Sequence, residues 1–181
     1  MNEAPAQALH ELSQLVQRAA AGETDALGEL FALHGDDVYH AALGLTASRT
    51  DAEDVTQDVF VRLPAALQGF AGGAASFRAW LRRVAVRQAL MQLRTGRRRR
   101  EVDVEAIVSL TTRSDGVLER LTIDAALGRL SVEHRTVFLL KEVEGYDHAE
   151  IAELLDISVA NSEVRLHRAR RTLRELLRGS R

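Results

Sequence analysis

Residues 148–176 read HAEIAELLDISVANSEVRLHRARRTLREL, and this stretch decides the fold. In HAEIAELL (148–155) Ile151, Ala152 and Leu155 share one side, and Asp147 with Glu150 three residues on is a capping-box signature. DIS (156–158) has the length of a tight turn. A longer helix follows, capped by Ser158, with Val159, Ser162, Leu166, Ala169 and Leu173 on one inward stripe. That leaves Asn161, Glu163, Val164, Arg165, His167 and Arg168 outward or flanking. A short helix, a tight turn and a longer basic helix form the layout of a helix-turn-helix, whose second helix reads DNA. Arg165, Arg168, Arg170 and Arg171 suit phosphates or guanine edges.

Outward from this stretch the pattern stays helical. Only two prolines occur, and no sustained period-two run bounded by turns is present. Leu12, Leu15, Val16 and Ala19 predict a first helix ended by Gly22. Leu27, Leu30 and Phe31, then Val38, Ala42 and Leu45, predict a second and a third. Thr50 with Glu53 predicts the cap of a fourth, with Val55, Val59 and Leu63 inward, and Pro64 is expected to kink or stop it. GFAGGAAS (69–76) reads as a loop whose Ser76 caps the next helix. In that helix Phe77, Trp80, Leu81, Val84 and Leu90 bury one side while Arg83, Arg87 and Arg94 line another. Thr95 to about Asp115 lacks an amphipathic period and reads as a linker. Beyond it, Leu118, Leu121, Ala125 and Leu130 predict one helix, and Val137, Phe138, Leu140 and Val143 another, ending at Gly145. The expected fold is all-α, with two small helical domains, 10–95 and 118–178, joined by a flexible linker over 96–117.

The chain has 181 residues, 46% of them hydrophobic, which is enough to bury real cores. Without cysteine, disulfides and thiolate chemistry are excluded. No apolar run approaches the roughly 20 residues of a membrane-spanning helix, so no membrane insertion is expected and the cytoplasm is the expected location. Net charge is only -2, but it is unevenly placed. Glu23 to Asp58 holds nine acids and one base, Arg49; Val59 to Arg100 holds ten arginines and no acid; Arg165 to Arg181 holds seven arginines against Glu175 alone. Two basic surfaces beside an acidic one point to a polyanion touched twice and to a different, basic partner.

These residues also carry a resemblance. QLVQRAAAGETDALGELFALHGDDVYHAALGLTASRTDAEDVTQDVFVRL and FAGGAASFRAWLRRVAVRQALMQLR resemble region 2 of the extracytoplasmic-function (ECF) sigma factors of the sigma-70 family. LSVEHRTVFLLKEVEGYDHAEIAELLDISVANSEVRLHRARRTLREL is similar to region 4 of that family. The resemblance implies a subunit that binds core RNA polymerase, recognises the minus-10 and minus-35 promoter elements and helps melt promoter DNA. It assigns Asp54, Gln57, Asp58 and Arg62 to polymerase docking. Phe70, Ala75, Ser76 and Arg87 would capture a flipped base of the minus-10 strand, with Arg83 on the same arginine-rich block. Asn161, Glu163, Val164, Arg165, His167, Arg168 and Arg171 would form the minus-35 surface. It further implies an anti-sigma partner. Cofactors, metal and catalytic residues are not expected: no Gly-rich loop leads into Gly-Lys and no histidine pair has metal-binding helical spacing.

Three positions depart from the family pattern. Arg87 stands where Asn is frequent, Ser162 where an aliphatic residue is usual, and Glu163 where a base is usual. A carboxylate at 163 can accept from cytosine N4 or hold a neighbouring Arg; the plainer alternative is that it merely points to solvent and pairs with His167 at i+4. A helix-turn-helix regulator that works without polymerase would explain the basic C-terminal end, but not the acidic helix and the first arginine block.

Overall fold

The structure, a computed structural model, describes residues 3–102 and 123–178. These residues form eight helices and fall into two compact units divided after Arg94.

In the first unit, α1 (Glu3–Ala20) places Leu15, Val16 and Ala19 in the core and ends before Gly22, whose positive φ of 86° turns the chain. α2 (Thr24–Thr46) is one helix where the sequence suggested two. Gly35 lies between the two stripes. A glycine in a helix costs about 1 kcal/mol, but Leu30, Val38, Ala42 and Leu45 around it are all buried, and each large apolar side chain contributes about 1.5–3 kcal/mol. Burial wins, and the helix runs through. α3 (Arg49–Leu67) is capped by Ser48, whose Oγ accepts from Asp51 N at 3.2 Å, so Thr50 lies within the first turn instead of capping it. Pro64 does not stop α3 either. It sits in the last turn, where only one backbone bond is lost, and buried Leu63 and Leu67 on either side hold that turn against the core.

α4 (Ala74–Val102) begins two residues before Ser76 and extends eight residues into the expected linker, through Thr95–Val102. Arginine is a good helix former, and a single glycine at 96 does not halt propagation. The rest of the expected linker lies outside the described residues. Phe77, Leu81 and Leu90 are buried as expected, whereas Trp80 and Val84 are half-buried. Arg78 clamps α4 to α2, its Nε and Nη2 donating to the two oxygens of Asp37 at 2.6 and 2.7 Å. That hydrogen bonding holds the Asp37 carboxyl below its ordinary pKa.

The second unit contains α5 (Ile123–Gly128), α6 (Val132–Glu142), α7 (His148–Leu155) and α8 (Val159–Arg178). Leu118 and Leu121 lie outside the described residues. Ala126, not Ala125, faces inward, beside Leu130, Ala169 and Leu173. α5, α6 and α7 all pack on α8, with Val137, Leu140 and Ile151 buried between them. The Asp147–Glu150 capping box is complete, with each side chain bonding the other's backbone at 2.8 Å. Asp156 then takes a left-handed conformation, φ 55°, which reverses the chain into α8.

Candidate nucleic-acid interface

α8 owes its orientation to the stripe Ser162, Leu166, Ala169 and Leu173, all buried. Val159, expected inward, is exposed in the first turn. Ser158 caps the helix, its Oγ accepting from Asn161 N at 3.1 Å. Asn161, Glu163, Val164, His167 and Arg168 are exposed and Arg165 is half-buried, so the residues expected to read DNA share one outward surface. Within it Arg165 Nε donates to Asn161 Oδ1 at 3.0 Å, which fixes the guanidinium along the helix. Arg170 and Arg171 are engaged elsewhere: Arg170 bonds Glu142 of α6, and Arg171 lies 3.7 Å from Glu175. Glu163 has neither hydrogen bond nor ion pair among the described residues, so the His167 pairing does not form.

Ser162 is fully buried in an otherwise apolar stripe. Its Oγ lies 2.9 Å from His148 Nδ1, so the hydroxyl is satisfied across the turn by α7 and not by its own helix. This bond links the two helices of the helix-turn-helix. Its sequence signal was the polar residue on the inward stripe, but nothing in the spacing named His148.

The second surface lies on the loop before α4 and on α4 itself. Phe70 is half-buried, its ring 4.7 Å from Trp80 and 5.9 Å from Phe77. One side of Phe70 is thus taken by packing. Its other side, with Gly72, Leu67 and the α1 residues Ser13 and Gln17, borders a recess of about 190 Å³. Ala75 and Ser76 are exposed; Ser76 Oγ donates to Gly73 O at 2.9 Å and caps nothing. A Cβ at Gly72 would collide with Ser76 Oγ and stand 2.6 Å from the Phe70 ring, so glycine lets the loop close over it. Arg83 and Arg87 are exposed one turn apart on α4.

The third surface is on α3. Asp54, Gln57 and Arg62 are exposed, and Asp58 is half-buried, with Arg62 Nη2 3.7 Å from Asp58 Oδ2. Val61 lies beside them, 71% exposed, on the turn after Asp54 and Gln57. The run Val59-Phe60-Val61 was the signal, because a helix cannot turn three consecutive residues inward. Among the described residues no helix is long and apolar enough to cross a membrane, and no acidic or histidine cluster could hold a metal ion.

An arginine face beside an aromatic loop and a helix-turn-helix define the class, a DNA-binding protein. The family models agree: sigma-70 region 2 matches residues 30–99 and sigma-70 region 4 matches residues 120–173. Similar proteins include the RNA polymerase sigma factor CnrH of Cupriavidus metallidurans, 33% identical over 178 residues, covering 90% of this chain and 92% of CnrH. The ECF RNA polymerase sigma factor SigE of Mycolicibacterium smegmatis is 33% identical over 157 residues, covering 82% of this chain and 60% of SigE. Among solved structures, the sigma factor RpoE in complex with the anti-sigma factor NepR from Bartonella quintana aligns with a TM-score of 0.57 at 25% identity, covering 85% of this chain and 98% of RpoE. CnrH in complex with the cytosolic domain of CnrY aligns with a TM-score of 0.53 at 32% identity, covering 93% and 98%. The chain belongs to the ECF sigma factors of the sigma-70 family, which direct transcription initiation at promoters.

Proposed function

We propose that the three surfaces divide the work of promoter-specific initiation. α3 docks on core RNA polymerase through Asp54, Gln57, Asp58 and Arg62, with Val61 adding apolar contact. Phe70, Ala75, Ser76, Arg83 and Arg87 hold the minus-10 strand once it is unstacked. Phosphate neutralisation supplies the affinity, and the recess beside Phe70 supplies a place for a displaced base. Asn161, Glu163, Val164, Arg165, His167, Arg168 and Arg171 form the minus-35 surface. Arg168 is the strongest candidate for a guanine edge, because Arg170 and Arg171 already face acids. The chain contributes no catalytic group and works in the cytoplasm, where polymerase provides the chemistry. An anti-sigma protein is the proposed regulator, on the strength of the complexes of RpoE with NepR and of CnrH with CnrY.

The observation that carries this reading is the segregation of charge: exposed acids on α3, exposed arginines on α4 and α8. Run-off transcription with core polymerase on a randomised promoter library tests it. A two-part motif at fixed spacing is the expected product, and a library recovered without enrichment overturns the reading.

A further inference from the structure

Asp58 belongs to two networks. Its Oδ2 accepts from Gln88 Nε2 at 2.8 Å and also lies 3.7 Å from Arg62 Nη2. Nearer the start of α3, Asp51 Oδ1 accepts from Gln92 Nε2 at 3.1 Å. Asp51 and Asp58 are two turns apart on α3, while Gln88 and Gln92 are one turn apart on α4. The pairs therefore run along one seam between antiparallel helices. Asp51, Asp58, Gln88 and Gln92 are all half-buried, so water competes only in part for these bonds to carboxylates. On one side of the seam α3 presents Asp54, Gln57 and Val61; on the other, α4 presents Arg83 and Arg87, the latter adjacent to Gln88.

We propose that Gln88 and Gln92 are positioning residues that couple polymerase docking to DNA engagement. Apolar side chains packed along a seam tolerate small slides, whereas an amide bonded to a carboxylate has one register. The two bonds fix α4 on α3, so the carboxylate that meets polymerase also sets where Arg83 and Arg87 stand. Asp58 Oδ1 has no partner among the described residues, and a basic group of polymerase engages that oxygen without displacing Gln88. Docking then stiffens the seam instead of dissolving it. This inference rests on the docking face proposed above.

Gln88→Leu and Gln92→Leu each remove the donor at similar volume, and Asp58→Asn removes the charge but keeps an oxygen for Gln88 to bond. The full chain is titrated with core polymerase, and strand opening is then read by permanganate reactivity at saturating polymerase. Gln88→Leu is expected to lower open-complex yield at least about tenfold, the lower end of what one charge-assisted bond is worth, with core affinity held within about twofold. Gln92→Leu shifts both readings in the same sense, by less. The same loss is expected on a pre-melted fork template, because the defect lies in where the arginines stand and not in unpairing. Asp58→Asn is expected to weaken core affinity, and unchanged affinity in that variant overturns the docking face itself. The coupling is overturned separately if the leucine variants leave strand opening unchanged, if they weaken docking in proportion to opening, or if they lower only the melting temperature.

Discussion

The two arginine-bearing helices both bond acids on neighbouring helices, Arg78 of α4 holding Asp37 and Arg170 of α8 holding Glu142, but α8 also carries an acid left out of such pairs. In the first unit three acids that face α4 each receive a side chain from it: Asp37 from Arg78, Asp58 from Gln88 and Asp51 from Gln92. In the second unit Glu163 lies in the middle of the outward face of α8, with no partner among the described residues. An acid that is already bonded fixes geometry. An acid left open is available to whatever docks there, at the cost of repelling phosphate. The first unit therefore uses carboxylates as fasteners, and the second leaves one exposed, which the proposed function makes a selectivity element.

The largest effect expected from this contrast concerns stability. If the polar bonds in the first unit are fasteners and not the source of cohesion, its stability must come from the core. Phe77 is fully buried against His34, Phe70 and Trp80, so Phe77→Ala should cost about 3–5 kcal/mol in denaturant unfolding. Asp37→Asn should cost far less, because its partner Arg78 stands largely in water. Equal losses for the two variants would mean that the bonds, not the core, carry the unit.

A smaller effect is expected on the other side of the contrast. Glu163→Lys replaces a repelling group with an attracting one where nothing internal needs the acid. Affinity for arbitrary duplex should rise severalfold at low salt, and the salt dependence of log K should steepen by about one phosphate contact. Preference among minus-35 sequences should relax or change. A steeper slope with an unchanged preference, read by selection from a randomised duplex, would remove Glu163 from the reading surface.

Much of the second unit was legible because its signals are local. The capping box at Asp147 and Glu150, the cap at Ser158 and the stripe from Ser162 to Leu173 each lie within one or two turns, and the structure has all of them. The first unit was less legible where long-range burial outweighs local chemistry. Gly35 and Pro64 carry strong local signals for ending a helix, and both are overridden by neighbours packed from elsewhere in the chain. The register slip from Ala125 to Ala126 has the same origin: six residues of helix fix a face poorly without the elements that cover it. Side chains that meet across helices, Ser162 with His148 or Asp58 with Gln88, leave no mark in spacing at all. For Glu163 neither internal pair forms, whether with a neighbouring Arg or with His167; its side chain stands exposed, which fits both a base contact and a plain solvent position.

The smallest expected effect tests whether the first unit contains an ionisable group that is not fastened. His34 lies one turn from Asp37 on α2, its ring edge-on to Phe77 at 5.3 Å, and both ring nitrogens are buried without a partner. Burial pushes its pKa below the ordinary 6.5; Arg78 adds to that shift while Asp37 opposes it. The folded state therefore binds this proton less readily than the unfolded chain. Stability is complete above the unfolded value and declines as pH falls from there toward the folded one, since the unfolded chain holds more protons in that interval. The melting temperature should fall as pH drops below the ordinary histidine value of 6.5, and His34→Leu should flatten that fall without changing its value at neutral pH by much. Superimposable pH profiles for the two proteins would show that His34 takes its proton without unfolding. Asp37 would then serve as its counter-charge, making it a fastener shared between Arg78 and the imidazolium.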